Sequence, residues 1–355
     1  MRINRSQHFI VFGAGAVGGY LAARWTRSGH RVSALVRRPF LDAEGNNKNS
    51  ITVSENGVEI AYALYGVLPY LSELSAWEAS LQEYFESHDP PDWIVCTMKA
   101  HMLPNIAWHL ERLLRRFDVP VLTVVNGIPW WYRSVGNTSP LRSVDPHGHL
   151  YRIIGLDRAI GAVTTLASHL VSPGHIKVHS EGSFVLAEAR GGNSERLSAL
   201  VETLRSPDTE VLETEDLSEH VWFKLLGNAA INPMSVLLEI PQGYIASNPA
   251  LNGLLMTLLQ EVAAVAKSAG VKKKFDLAQR IRIAESVGGH LTSTHQDYLK
   301  GNTLELDPIL GAVIELGEMY SIPTPQLKTL YTLVSEKSAW SLKVRDPAEK
   351  NKTIQ

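Results

Sequence analysis

The chain has 355 residues, enough for two ordinary domains, and its 45% hydrophobic content can furnish real cores. Charged residues make up 20% and the formal net charge is −2, a balance that lacks the basic stripe a nucleic-acid partner needs. One cysteine, Cys96, excludes an internal disulfide framework and fits a reducing compartment.

The opening residues lead into a strand without a signal-peptide core, and no stretch reaches the roughly eighteen uninterrupted apolar residues of a membrane span. The expectation is a cytoplasmic protein with no membrane partner. His8–Phe12 reads as a short buried strand that breaks at once into Gly13-Ala14-Gly15-Ala16-Val17-Gly18, after which a helix continues through Trp25. Strand, GxGxxG and helix in that order form a dinucleotide-binding turn. Gly13 permits the tight turn, Gly15 lets backbone approach a pyrophosphate, and Gly18 lets helix and strand pack closely. The helix start, at Ala16 and Val17, offers free N–H groups and a positive dipole end to phosphates.

Arg31–Val36 is the second strand. An NAD-specific fold places an Asp or Glu about twenty residues past the glycines, on the ribose 2′-OH. No acid occurs between Gly13 and Asp42, and Arg37 stands in that place. A guanidinium there suits a 2′-phosphate, so the expected cofactor is NADPH. Ile51–Val53 and Val58–Ile60, joined through Asn56-Gly57, predict a hairpin decorating the sheet. Trp93–Cys96 and Pro120–Val125 are further buried strands that deliver Lys99 and Asn126 to their C-terminal ends, where open parallel sheets bind ligands.

After Asn126-Gly127 comes an irregular stretch at about 129–152, opened by Trp130-Trp131-Tyr132. Such a loop suits either a lid over a site or aromatics packing the loop down. His147 and His149 form an H-x-H pair, but no third ligand follows at metal-site spacing, so no metal is expected. Short strand-like runs from Ala159 to Glu188 suggest an antiparallel extension, and Asn193–Leu204 is helical.

From Asp216 the pattern is entirely helical. Lys224, Asn228 and Asn232 recur every fourth residue among apolar neighbours, so an ammonium and two amides share one helix face. Asp216 followed by Glu219 resembles a capping box, and Pro233 removes a hydrogen bond from the carbonyl of Ala229. The expected architecture is α/β: an N-terminal Rossmann-type doubly wound sheet (residues 1–214), an all-helical C-terminal domain (215–345), and a charged tail (346–355).

The glycine loop, Lys99, Asn126-Gly127, the string Lys224-Leu-x-x-Asn228-x-x-Ile-Asn232-Pro233 and Leu304-Glu305-Leu306-Asp307 occur in this order. The chain thereby resembles the ketopantoate reductase (2-dehydropantoate 2-reductase) family over nearly its whole length. The Lys224/Asn228 pair alone is similar to a wider group of dehydrogenases with a helical second domain. The resemblance implies NADPH-dependent reduction of a 2-oxo acid, ketopantoate, to its 2-hydroxy acid. By the same likeness Lys224 is the general acid and Glu305 holds the substrate's polar end. Asn228 and Asn232 contact its hydroxyl and carbonyl groups, and Ser293 its carboxylate. Asn126 touches nicotinamide and substrate, Lys99 lies on the cofactor and substrate side of the cleft, and a homodimer forms through the helical domain.

Two features depart from the best-known members: the length added after Trp131, with its double Trp, and Pro308. They leave open a bulkier 2-oxo acid or an imine as substrate. A non-catalytic NADPH sensor is the rival outside enzymes, and the intact Lys224/Asn228/Asn232/Glu305 set speaks against it.

Overall fold

The computed structural model describes residues 5–42, 44–132, 139–206 and 209–345. The charged tail and part of the 129–152 stretch lie outside these. Two compact units emerge, one of Met1–Val125 with His147–Leu217, the other of Asn126–Pro146 with Ser218–Gln355. The helical unit thus begins at Ser218, and it also takes up the segment that follows Asn126.

In the first unit the strands and helices run β1 (His8–Phe12), α1 (Ala16–Arg27), β2 (Arg31–Val36), β3 (Ser50–Glu55), β4 (Val58–Ala63), β5 (Gly66–Pro69), α2 (Leu74–Ser87), β6 (Trp93–Cys96), α3 (Ala107–Phe117) and β7 (Val121–Val124). There follow α4 (His149–Ile154), β8 (Ala159–Thr164), β9 (Ala167–Ser172), β10 (His175–Ser180), β11 (Ser183–Glu188), α5 (Glu195–Leu204) and β12 (Glu210–Glu213). The main sheet has eight strands in the order β12-β11-β8-β7-β6-β1-β2-β5. Strands β5, β2, β1, β6, β7 and β8 are parallel, and β11 turns back antiparallel beside β8. All five residues of β1 are buried, as a central parallel strand covered on both faces requires.

The Asn56-Gly57 hairpin forms as expected, with both residues at positive φ (49° and 81°), the backbone an Asn-Gly hairpin turn needs. It does not decorate the main sheet. Strands β4-β3-β10-β9 make a second, four-stranded sheet in which β10 pairs parallel with β3. The antiparallel extension expected between Ala159 and Glu188 is therefore divided between two sheets. Helix α1 packs against strands of both, which explains why Gly18 to Ala23 and Trp25 are all buried. Trp25 stacks on Phe9 of β1 with ring centroids 4.1 Å apart, and its indole N–H donates to Thr203 Oγ1 of α5 at 2.9 Å.

The second unit contains α6 (Ser218–Leu238), α7 (Gln242–Ser247), α8 (Pro249–Ser268), α9 (Leu277–Ser286), α10 (Ser293–Lys300), a π-helical turn Asp307–Gly311, α11 (Ala312–Met319) and α12 (Pro325–Arg345). Helix α6 is the hub, touched by α7, α8, α9, α10, α12 and the π turn. It starts two residues after Asp216, with Glu219 in its first turn, and runs through Pro233 without ending.

Helices α6 and α8 are long and apolar enough to cross a membrane by length and composition. Of the apolar window, 72% is buried in α6 and 33% in α8. The polar stripe of α6 is what separates this looser criterion from an uninterrupted apolar run.

Candidate active site

The glycine loop is set by close approaches. Gly13 has φ +85°, and a Cβ there would fall 2.9 Å from the backbone N of Met98. A Cβ on Gly18 would lie 2.4 Å from Gly13 O and 2.2 Å from Thr97 Oγ1. Gly15 differs: its Cβ would meet only Gly13 O, at 3.9 Å. The first two glycines are thus demanded by protein packing, whereas Gly15 faces room that protein atoms do not fill. Such a surface fits a pyrophosphate lying against backbone, with the N–H groups of Ala16 and Val17 left unpaired by helix geometry. Gly19, which sequence reasoning passed over, has the opposite constraint. A Cβ there would sit 2.0 Å from Ile176 Cδ1 of β10, so the absence of a side chain lets Ile176 of the second sheet pack onto α1.

The ends of β2 and β6 are tied to this loop. Gly13 N–H donates to Leu35 O at 3.2 Å, and Thr97 Oγ1 donates to Gly13 O at 2.8 Å. Arg37, two residues past Leu35, is exposed, and Lys99, two past Thr97, is half-buried at the head of a 3₁₀ turn, Ala100–Ile106. Gly13, Gly15, Gly18, Arg37 and Lys99 are therefore gathered around the carboxyl ends of adjacent parallel strands.

The remaining candidates belong to the helical unit. Lys224 is half-buried on α6; burial pushes its ammonium down to about 8, while the carboxylate of Glu305 pulls it back up. Glu305 is itself buried, just before the π turn. Asn228 is half-buried and Asn232 buried, and Asn232 Nδ2 donates to Thr294 Oγ1 of α10 at 3.3 Å. Ser235 Oγ lies 2.7 Å from Thr292 Oγ1, whose oxygen also accepts the N–H of His295 and caps α10. These contacts hold α10 against α6 and set Ser293, which is exposed, at its first turn.

Asn126 is half-buried and leads into a turn seated on the residues after Glu305. Gly127 has φ +83°, a Cβ there would lie 2.2 Å from Pro308 O, and Ile128 N–H donates to that same oxygen at 2.8 Å. Pro308 thus has a local role: its carbonyl anchors the Asn126 segment.

The aromatics beyond pack rather than cover. Trp130, Trp131 and Tyr132 are 2%, 6% and 5% exposed, and Trp222 Nε1 of α6 donates to Tyr132 Oη at 2.7 Å. Farther along, Glu315 of α11 clasps the segment, accepting from the N–H groups of Arg142 and Ser143 at 2.8 and 2.9 Å and from Ser143 Oγ at 2.6 Å. Of the two expectations for this stretch, the described residues follow the packing one. Sequence reasoning missed the Glu315 clasp because a lone glutamate in a helix reads as solvated.

The imidazoles of His147 and His149 lie 5.4 Å apart, and among the described residues no group of three or more His, Cys, Asp or Glu is arranged to hold a metal ion.

Comparison with known proteins agrees with this architecture. The ketopantoate reductase PanE/ApbA model matches residues 9–191 and its C-terminal counterpart residues 216–338. A 2-dehydropantoate 2-reductase of Mesorhizobium japonicum is 33% identical over 329 residues, spanning 91% of this chain and 95% of that one. Among solved structures, a ketopantoate reductase homologue from Ralstonia solanacearum superposes with a TM-score of 0.81 at 27% identity, covering 94% of this chain and 98% of the other. A D-mandelate dehydrogenase bound to NADH and anilino(oxo)acetate shares the fold, with a TM-score of 0.72 at 21% identity over 94% and 99% of the two chains. The chain belongs to the ketopantoate reductase (PanE/ApbA) family of NAD(P)-dependent oxidoreductases.

Proposed function

We propose that this chain reduces 2-dehydropantoate (ketopantoate) to pantoate with NADPH, and that Lys224 is the general acid. The observation that carries the proposal is Lys224 itself: a half-buried amine lowered to about 8, balanced by Glu305 and aligned with Asn228 and Asn232 on one face of α6. A pKa near the working pH makes a proton donor efficient.

Gly13, Gly15, Ala16, Val17 and Gly18 would hold the cofactor's pyrophosphate, Asn126 would touch nicotinamide and substrate, Lys99 would lie on the cofactor and substrate side, and Arg37 would take the 2′-phosphate. The exposed guanidinium of Arg37, standing where an NAD-specific fold carries an acid, supports NADPH over NADH. Bound cofactor supplies hydride to the carbonyl carbon. Charge then builds on the carbonyl oxygen, and Lys224 answers it first with a hydrogen bond and then with its proton, ending as a neutral amine. Glu305 keeps the lysine charged until that moment and holds the substrate's polar end. The amides of Asn228 and Asn232 act as fixed dipoles that need no reorganisation. Ser293, at the head of α10, would meet the carboxylate end. We also propose, by family likeness, a homodimer through the helical unit, and, from the chain's single cysteine, a cytoplasmic setting.

The test is NADPH oxidation, followed by nicotinamide absorbance, with ketopantoate beside a panel of larger 2-oxo acids. Ketopantoate is expected to give the highest kcat/KM. A bulkier acid in that place would overturn the substrate, and NADPH binding without any turnover would overturn the reduction.

A further inference from the structure

Gly227 stands in the middle of α6, where glycine is a poor choice for a helix. Its reason lies on α9. A Cβ on Gly227 would fall 1.6 Å from Arg280 Nη2 and 2.4 Å from Arg280 Cζ, so a guanidinium occupies the space of the missing side chain. Arg280 is half-buried, and burial works against its charge. Among the described residues no ion pair or side-chain hydrogen bond offsets that cost. The acids on neighbouring turns are engaged elsewhere. Asp276 caps α9 by accepting the N–H of Gln279 at 2.9 Å and faces Arg282 at 3.6 Å, while Glu219 faces Lys273 at 3.9 Å.

A half-buried guanidinium without an anion loses part of its hydration with no ion pair in return, a cost that an anionic ligand would offset. Its position says which ligand. Projected down α6 at about 100° per residue, Gly227 lies about 60° to one side of Lys224 and Asn232 about 80° to the other. Arg280 packs on the first flank and Thr294 of α10 on the second, leaving Lys224 and Asn228 on the strip between them. Gly227 is about 4.5 Å along the axis from Lys224.

We infer that Arg280 binds the carboxylate of the 2-oxo acid whose carbonyl oxygen is met by Lys224. The two groups sit on adjacent substrate carbons, and Arg280 packs on Gly227, about one helical turn along α6 from Lys224. The planar fork of Arg280 matches a carboxylate through paired charge-assisted hydrogen bonds, on the α9 flank of α6 rather than on the α10 flank where family likeness places the carboxylate contact of Ser293. The inference rests on the reduction proposed above.

Two variants test it. Arg280→Met removes the charge and keeps the length. Gly227→Ala keeps the charge and displaces it, with a fold expected to hold because the clash is with the free end of a flexible side chain and Ala favours helix. In both, KM for ketopantoate should rise about 10- to 100-fold, the scale of a lost charged hydrogen bond. Calorimetric affinity for oxamate, an unreactive carboxylate isostere of a 2-oxo acid, should fall by a similar factor while NADPH affinity stays within about twofold. Unchanged KM and oxamate affinity in both variants would overturn the assignment and leave the reductase proposal standing, as would a parallel loss of NADPH affinity. Wild-type protein that binds oxamate through Arg280 but reduces no 2-oxo acid would sink the reductase proposal and keep the carboxylate site. Wild-type protein that does not bind oxamate would overturn the carboxylate site.

Discussion

The two units carry their chemistry in different materials. In the sheet unit the proposed ligand-facing surface is main chain, with Gly15 free of close protein contact and the first N–H groups of α1 beyond the reach of the helix's own carbonyls. In the helical unit it is side chains on one strip of α6, whose properties come from what other segments lay against them: Glu305 beside Lys224, Thr294 on Asn232, Arg280 on Gly227. A main-chain surface is laid down by one contiguous strand–turn–helix run, and a side-chain surface by partners distant in sequence. Substitutions should therefore act differently in the two, on cofactor affinity in the first and on turnover in the second.

The sharpest break expected from this contrast is Lys224→Ala, which should lower kcat at least about a hundredfold, the scale of a lost general acid, with NADPH affinity nearly intact. Near-normal turnover in steady-state assays would remove Lys224 from the chemistry. Arg37→Ala should do the reverse, weakening NADPH binding about 10- to 100-fold while NADH binding changes little. Equal losses for both nucleotides, read by fluorescence titration, would take Arg37 off the 2′-phosphate. The smallest effect belongs to Trp222→Phe, which deletes the hydrogen bond to Tyr132 and should cost about 1 kcal/mol in denaturant unfolding with little change in kcat. A large loss of turnover at unchanged stability would give the segment after Gly127 a part in catalysis.

These contrasts match what could be read from the chain beforehand. The glycine loop was legible because strand, GxGxxG and helix follow one another in one short run, although the residues that Gly13 and Gly18 meet, Met98 and Thr97, are far along the chain. The α6 strip was legible because four-residue spacing survives any packing. Pairings across long sequence separations were not. Strands β9 and β10 have ordinary alternation, and nothing in it states that β10 pairs with β3 rather than with the main sheet. The aromatics at Trp130–Tyr132 suit a lid as well as a core until Trp222 is seen to donate to Tyr132. Arg280 reads as one more solvated arginine on an amphipathic helix. The available signal was its counterpart, a glycine in the middle of α6 costing about 1 kcal/mol against alanine, which marks a close approach by something else.

The central claim, that a lysine with lowered pKa on α6 donates the proton, is tested most directly by the pH dependence of kcat/KM for ketopantoate in the wild type and in Glu305→Gln. The ammonium is the active form, so activity should be full below about pH 8 and fall as pH rises through that value. Removing the Glu305 charge takes away what favours the ammonium, so the falling limb should move to lower pH in the variant. A wild-type profile that stays level to pH 10, or a limb that Glu305→Gln leaves in place, would contradict the account.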